Sequence, residues 1–175
     1  MSQIIVAQNV HGIVLAGENR AIQLDENGKE VFLPINRLLP LTSHCALFLA
    51  FLSSEYERFM RKKCELLPID PIHQVSFVLA GRTERDQTMP FRLYFLWTKK
   101  KLPQLDGDEI SNAFSLPRRM GLEFQLNKMC KENSPLKEIL KKMTDGMEQL
   151  KSKGEVNGPF SFGMITREGY QSLNP

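Results

Sequence analysis

Only three cysteines and three histidines occur in the 175 residues, and both shortages exclude chemistry. Cys45, Cys64 and Cys130 are odd in number and widely separated, which argues against a disulfide framework and for reduced, structural thiols. His11, His44 and His73 share no ligand spacing, so no metal site is read from them. Charge of one sign is also scarce: 23 Lys and Arg against 20 Asp and Glu leave a formal net charge of +3. The basic runs Arg61-Lys62-Lys63 and Lys99-Lys100-Lys101 carry no interleaved aromatics. They read as a solvated helix end and a turn, and no nucleic-acid partner is expected. Long apolar runs are missing as well. Cys45 to Leu52 is apolar but only strand-sized, so no membrane partner is expected. The opening residues lack the basic region and apolar stretch of a signal peptide, and a cytoplasmic location is the default.

What is present, at 42% hydrophobic and 25% charged residues, suits one globular domain over residues 1–175 with a sizeable core. An apolar strand starts almost at the terminus, Gln3 to Ala7. It turns through Asn9, Val10 and His11 and continues as Gly12 to Ala16, a hairpin pattern. This puts a small hydroxyl residue, Ser2, at the tip of a core strand. Such a terminus serves either edge packing or a chemical use of its first residue. Ala21 to Leu24 and Glu30 to Leu33 flank the turn Asp25-Glu26-Asn27-Gly28, where Asn-Gly supplies the required backbone conformations. Cys45 to Phe51 reads as a strand covered on both faces. Ser53 or Ser54 caps a short helix, roughly Ser54 to Cys64. Gln74 to Ala80 and Phe91 to Trp97 follow as an antiparallel pair, because the loop Gly81 to Pro90 is too short for a helical crossover.

The second half turns helical. Met120, Leu122, Phe124, Leu126 and Met129 form a broad apolar stripe ending at Glu132. Ser134 offers an N-cap and Pro135 a first helical position. Leu136, Leu140, Met143, Met147 and Leu150 recur at steps of four and three, so that helix must bury one face. Its methionines read as core filler. Gly158 to Ile165 is the last strand expected, followed by the turn Thr166 to Gly169.

Taken in order, Gly12 to Ala21, Arg37 to Leu41, Leu79-Ala80-Gly81, Leu93-Tyr94-Phe95, the helix near Gly121, and Gly158 to Gly169 resemble proteasome-type peptidase subunits. These are of the beta kind or of the related bacterial two-component protease, within the N-terminal nucleophile hydrolases. The resemblance spans nearly the whole sequence. It implies an α+β fold: a four-layer alpha-beta-beta-alpha sandwich, with a shortened helical region after Phe51. It also implies homo-oligomers, ring-forming in the family, a peptide or protein substrate where the site is active, and no cofactor.

In that family a terminal threonine exposed by processing attacks a peptide carbonyl. Its own amine, tuned by a lysine and an aspartate, handles the proton, and backbone amides hold the oxyanion. The resemblance places the nucleophile at Ser2, reached after removal of Met1, the aspartate at Glu18 and the lysine at Arg37. Glu18 is longer by a methylene, and Arg37 has too high a pKa for proton exchange. The oxyanion-hole glycine falls on Phe51. The family's serine falls around Leu116 and Pro117, and its last aspartate within Lys151 to Gly154, where no acid sits. A subunit that keeps fold and self-assembly but has lost peptide hydrolysis is the leading expectation. An active N-terminal serine peptidase or amidase is the alternative. A binding module at Arg82 to Asp86 or Lys99 to Lys101 is the third, although those loops lack convergent ligand chemistry.

Overall fold

The computed structural model describes residues 3–24, 26–27, 29–34, 38, 76–98 and 105–173. The protein divides into two compact units, one formed by Met1–Leu41 with Asn112–Pro175, the other by Thr42–Ser111.

In the first unit, β1 (Ile4–Asn9) and β2 (Gly12–Glu18) form the expected hairpin, paired from Ile4 with Gly17 to Asn9 with Gly12. Val10 and His11 make the turn, and Asn9 Oδ1 accepts the His11 amide at 2.9 Å. Gly12 is required here: a Cβ on it would lie 2.3 Å from the Ile165 carbonyl oxygen. A second hairpin, β3 (Arg20–Leu24) with β4 (Glu30–Pro34), forms its own two-stranded sheet.

After the second unit the backbone returns as β8 (Ala113–Leu116), helix α1 (Met120–Lys131), helix α2 (Leu136–Ser152), β9 (Phe160–Thr166) and β10 (Gly169–Leu173). The main sheet is five-stranded and antiparallel, in the order β10-β9-β2-β1-β8. Its center is made of the first and nearly the last segments of the sequence. Ile5, Ala7, Val14, Ala16 and Phe162 pack with Leu126, Cys130, Ile139, Met143 and Met147 of the helices. That face therefore carries a helical layer, α1 over β1 and β8, α2 over β2. Val6, Ile13 and Leu15, on the opposite side by strand alternation, are also buried, which explains why β2 reads as a continuous apolar run.

Helix α2 buries Leu136, Ile139, Met143, Gly146, Met147 and Leu150: Ile139 and Gly146 join the expected face, and Leu140, expected on it, is only partly buried against the core. Its N-cap is Pro135 rather than Ser134, without a capping hydrogen bond from any side group. It ends on Gly154 at φ +70. Gly154 N–H donates to the Lys151 carbonyl at 2.9 Å and Glu155 N–H to that of Leu150 at 3.0 Å, which closes the helix with a left-handed glycine cap. The stripe expected on α1 is corrected: Met120 and Phe124 are 70% and 74% exposed, and the buried residues are Glu123, Leu126 and Cys130. A carboxylate replaces an aromatic on the inner face because Ser115 and Arg118 meet it there. Gly158 to Ile165 is not the last strand, since β10 follows its turn.

In the second unit, β5 (Ser76–Arg82), β6 (Phe91–Thr98) and β7 (Leu105–Ile110) form a three-stranded antiparallel sheet. The β5–β6 pair is as expected; β7, like β8, had no clear alternation to announce it. In the loop Thr83 to Pro90, Asp86 Oδ1 accepts the amides of Thr88 and Met89 at 3.0 Å each. Its other oxygen pairs with Arg92, which also holds Glu109, both at 2.6 Å. These contacts make Asp86 a brace between the loop and β6; Lys99 to Lys101 lie outside the described residues. The strand read at Cys45 to Phe51 and the helix read at Ser54 to Cys64 lie outside the described residues.

Candidate functional site

Glu18 ends β2 and is 5% exposed. A buried carboxylate needs donors for both oxygens, and the fold supplies backbone amides. Gln3 N–H donates to Oε2 at 3.2 Å, and Asn157 N–H to Oε1 at 2.9 Å. Glu18 N–H in turn donates to the Gln3 carbonyl at 2.9 Å. Glu18 therefore ties the first described residue to the segment between α2 and β9. Ser2 is the neighbor of Gln3 in sequence. Ser2 itself, Arg37 and Phe51 lie outside the described residues.

Gln3 is fully buried and both ends of its carboxamide are hydrogen-bonded. Its Nε2 donates to the Pro117 and Ile4 carbonyls, both at 3.1 Å, and its Oε1 accepts from Arg119 Nε at 3.0 Å. Arg119 also pairs with Glu155 through Nη1. A continuous polar network therefore runs from the start of β1, through the residue preceding α1, to the loop after α2.

A second network abuts it. Ser115, at 0% exposure, donates its hydroxyl to Glu123 Oε1 at 2.6 Å and accepts the Arg119 N–H at 2.7 Å. The Ser115 amide donates to the same Glu123 oxygen at 3.0 Å. Arg118 forks onto Glu123, with Nε 2.8 and 3.0 Å from its two oxygens and Nη2 2.6 Å from Oε2. Burial works to raise the Glu123 carboxyl, but the Arg118 fork, the Ser115 hydroxyl and the Arg119 amide together hold it below its ordinary value. The Arg118 guanidinium also lies over the Phe114 ring, 5.3 Å from its centroid. Burial pushes the Cys130 thiol up to about 11, so this cysteine is inert, as a structural thiol should be.

A serine and an acid stand one residue outside the stretches Leu116–Pro117 and Lys151–Gly154 where the resemblance seeks them, as Ser115 and Glu155. Glu155 pairs with Arg119. Lys151 to Gly154 are taken up by the α2 cap, and Ser115 is committed to the start of α1. Gln3, Arg118, Arg119, Glu123 and Asn157 had no local signal except the spacing of Arg118 and Glu123 across the helix start.

No family model matches the sequence, and no curated protein matches it. Its fold is found among solved structures. Anbu (ancestral beta-subunit) from Yersinia bercovieri superposes with a TM-score of 0.59 at 10% identity, over 98% of this protein and 87% of that one. A mutant Anbu from Hyphomicrobium sp. strain MC1 superposes with a TM-score of 0.60 at 12% identity, over 99% and 86%. The protein is therefore similar in fold, over almost its whole length, to an ancestral beta-subunit.

Proposed function

We propose that this protein is a cytoplasmic, proteasome-like subunit. It is a single four-layer domain over residues 1–175 that assembles with copies of itself into rings and no longer hydrolyzes peptides. The observation that carries this reading is the engagement of Glu18. Each of its oxygens accepts a backbone amide, from Gln3 and from Asn157. A carboxylate used in this way ties Gln3 to Asn157 across 15 and 139 residues of sequence, a structural duty that supports a role in holding the fold. Arg37, which cannot exchange protons as a lysine does, and the bulk of Phe51 point the same way. The likeness to a beta-subunit fold supports the assembly part.

A second reading is favored by one feature: the Glu18 carboxylate bonds the amide next in sequence to Ser2. With Met1 removed, Ser2 would supply hydroxyl and amine, Glu18 and Arg37 would orient them, and the substrate would be a peptide or simple amide.

Protein prepared with Ser2 as its free first residue separates the two. Native mass spectrometry is expected to show a closed homo-oligomer. Turnover of a fluorogenic peptide panel is expected to equal that of Ser2→Ala. Turnover abolished by Ser2→Ala would replace the first reading with the second, and a monomer at micromolar concentration would remove the assembly claim.

A further inference from the structure

We infer that Asn157 is a self-modification site, converting spontaneously to aspartate and isoaspartate and thereby loosening the Glu18 staple. An asparagine followed by glycine is chemically suited to this, because the glycine amide meets little steric hindrance on its way to the asparagine Cγ carbonyl. Asn157 is exposed and precedes Gly158 in the segment between Val156 and β9. Among the described residues, neither the Asn157 carboxamide nor the Gly158 N–H has a hydrogen-bond partner. The space around Gly158 is open, the nearest atom to a Cβ built there being the Phe160 amide nitrogen at 4.0 Å. Other asparagines are held: Asn9 by Ser134, Asn19 by Ser161 and Asn127 by the Ala113 amide. Asn27, also followed by glycine in the sequence, takes part in an interaction of its own.

The Gly158 nitrogen attacks Cγ of Asn157. A new bond from that nitrogen to Cγ closes a five-membered succinimide, the Cγ–Nδ2 bond breaks, and ammonia leaves with the proton from the Gly158 amide. Water then adds to either imide carbonyl. One opening gives aspartate; the other gives isoaspartate, in which the backbone runs through Cβ and the free carboxylate sits on Cα.

Coupling to the site follows from the Asn157 N–H, which donates to the buried Glu18 Oε1 at 2.9 Å. In isoaspartate the new carboxylate is attached to the Cα that bears that same N–H. Two carboxylates brought this near each other repel where water is partly excluded. A longer backbone also shifts the segment that presents the amide. Glu18 then loses one of two donors, and its hold on Gln3 weakens.

The test is incubation of the full-length protein at mildly alkaline pH, followed by tryptic mapping of peptide 154–167, whose flanking sites are Lys153 and Arg167. The expected products are the acid form of this peptide and isoaspartyl residues detected by enzymatic methylation. Gly158→Ala, which the open space accommodates, should slow conversion on the order of tenfold by hindering nitrogen approach. Hydrogen exchange at Gln3 to Ile5 should speed up in the converted fraction and stay unchanged in incubated Gly158→Ala. Conversion at Asn27 with Asn157 intact, or equal rates in wild type and Gly158→Ala, would overturn the site. Conversion with unaltered exchange at Gln3 would overturn the coupling.

Discussion

Glu18 binds two amides that are 15 and 139 residues away in sequence. Replacing it with glutamine exchanges one acceptor for a donor that faces another donor, so Glu18→Gln should cost roughly 1–3 kcal/mol in chemical denaturation. Glu18→Asp, the residue type the family resemblance calls for, is one methylene shorter and should lose one of the two contacts. Glu123 answers to pH. Its folded carboxyl is held below the ordinary value of 4.5, so its contribution is present above 4.5 and fades as pH falls through the lower folded value. Glu123→Gln should therefore destabilize the protein by about 1–3 kcal/mol at neutral pH, at the low end because Arg118 is 56% exposed. The difference from wild type should shrink on acidification, measured as melting temperature against pH.

Each helix shows what local periodicity can and cannot encode. In α2 the apolar residues recur every three or four positions and all face one way, so the buried face was legible. Met143→Ala, at a position of 0% exposure, should cost about 2–5 kcal/mol. In α1 the same pattern misled, because Met120 and Phe124 are apolar yet exposed, and a glutamate takes the inner position. Phe124→Ser should leave stability within about 0.5 kcal/mol, which a thermal melt beside Met143→Ala would show. The β1–β2 turn was legible from its residues, but the need for glycine at position 12 depends on the Ile165 carbonyl. Gly12→Ala should cost about 1–3 kcal/mol by forced displacement of that strand.

At the scale of the molecule, the sheet joins the two ends of the sequence: Leu15 pairs with Gly163, and Val6 with Phe114. A protein stopped after Gly158 would leave one edge of β2 unpaired along the six buried residues Ile13 to Glu18. Such an edge templates association, so the truncated protein should aggregate or bind an apolar dye, whereas removal of residues 174 and 175 should not produce this. The hairpins, most of the buried face of α2 and the antiparallel β5–β6 pair were legible from residue order, because those depend on neighbors two to four positions apart or on short loops. That Gln3, Glu18, Arg119, Glu155 and Asn157 form one polar network, and that Ser115 and Glu123 serve the start of α1, follows from the folded arrangement alone. Their partners are chosen by strand register and helix placement across as many as 139 residues, and pairing of side groups over such separations leaves no period in the sequence.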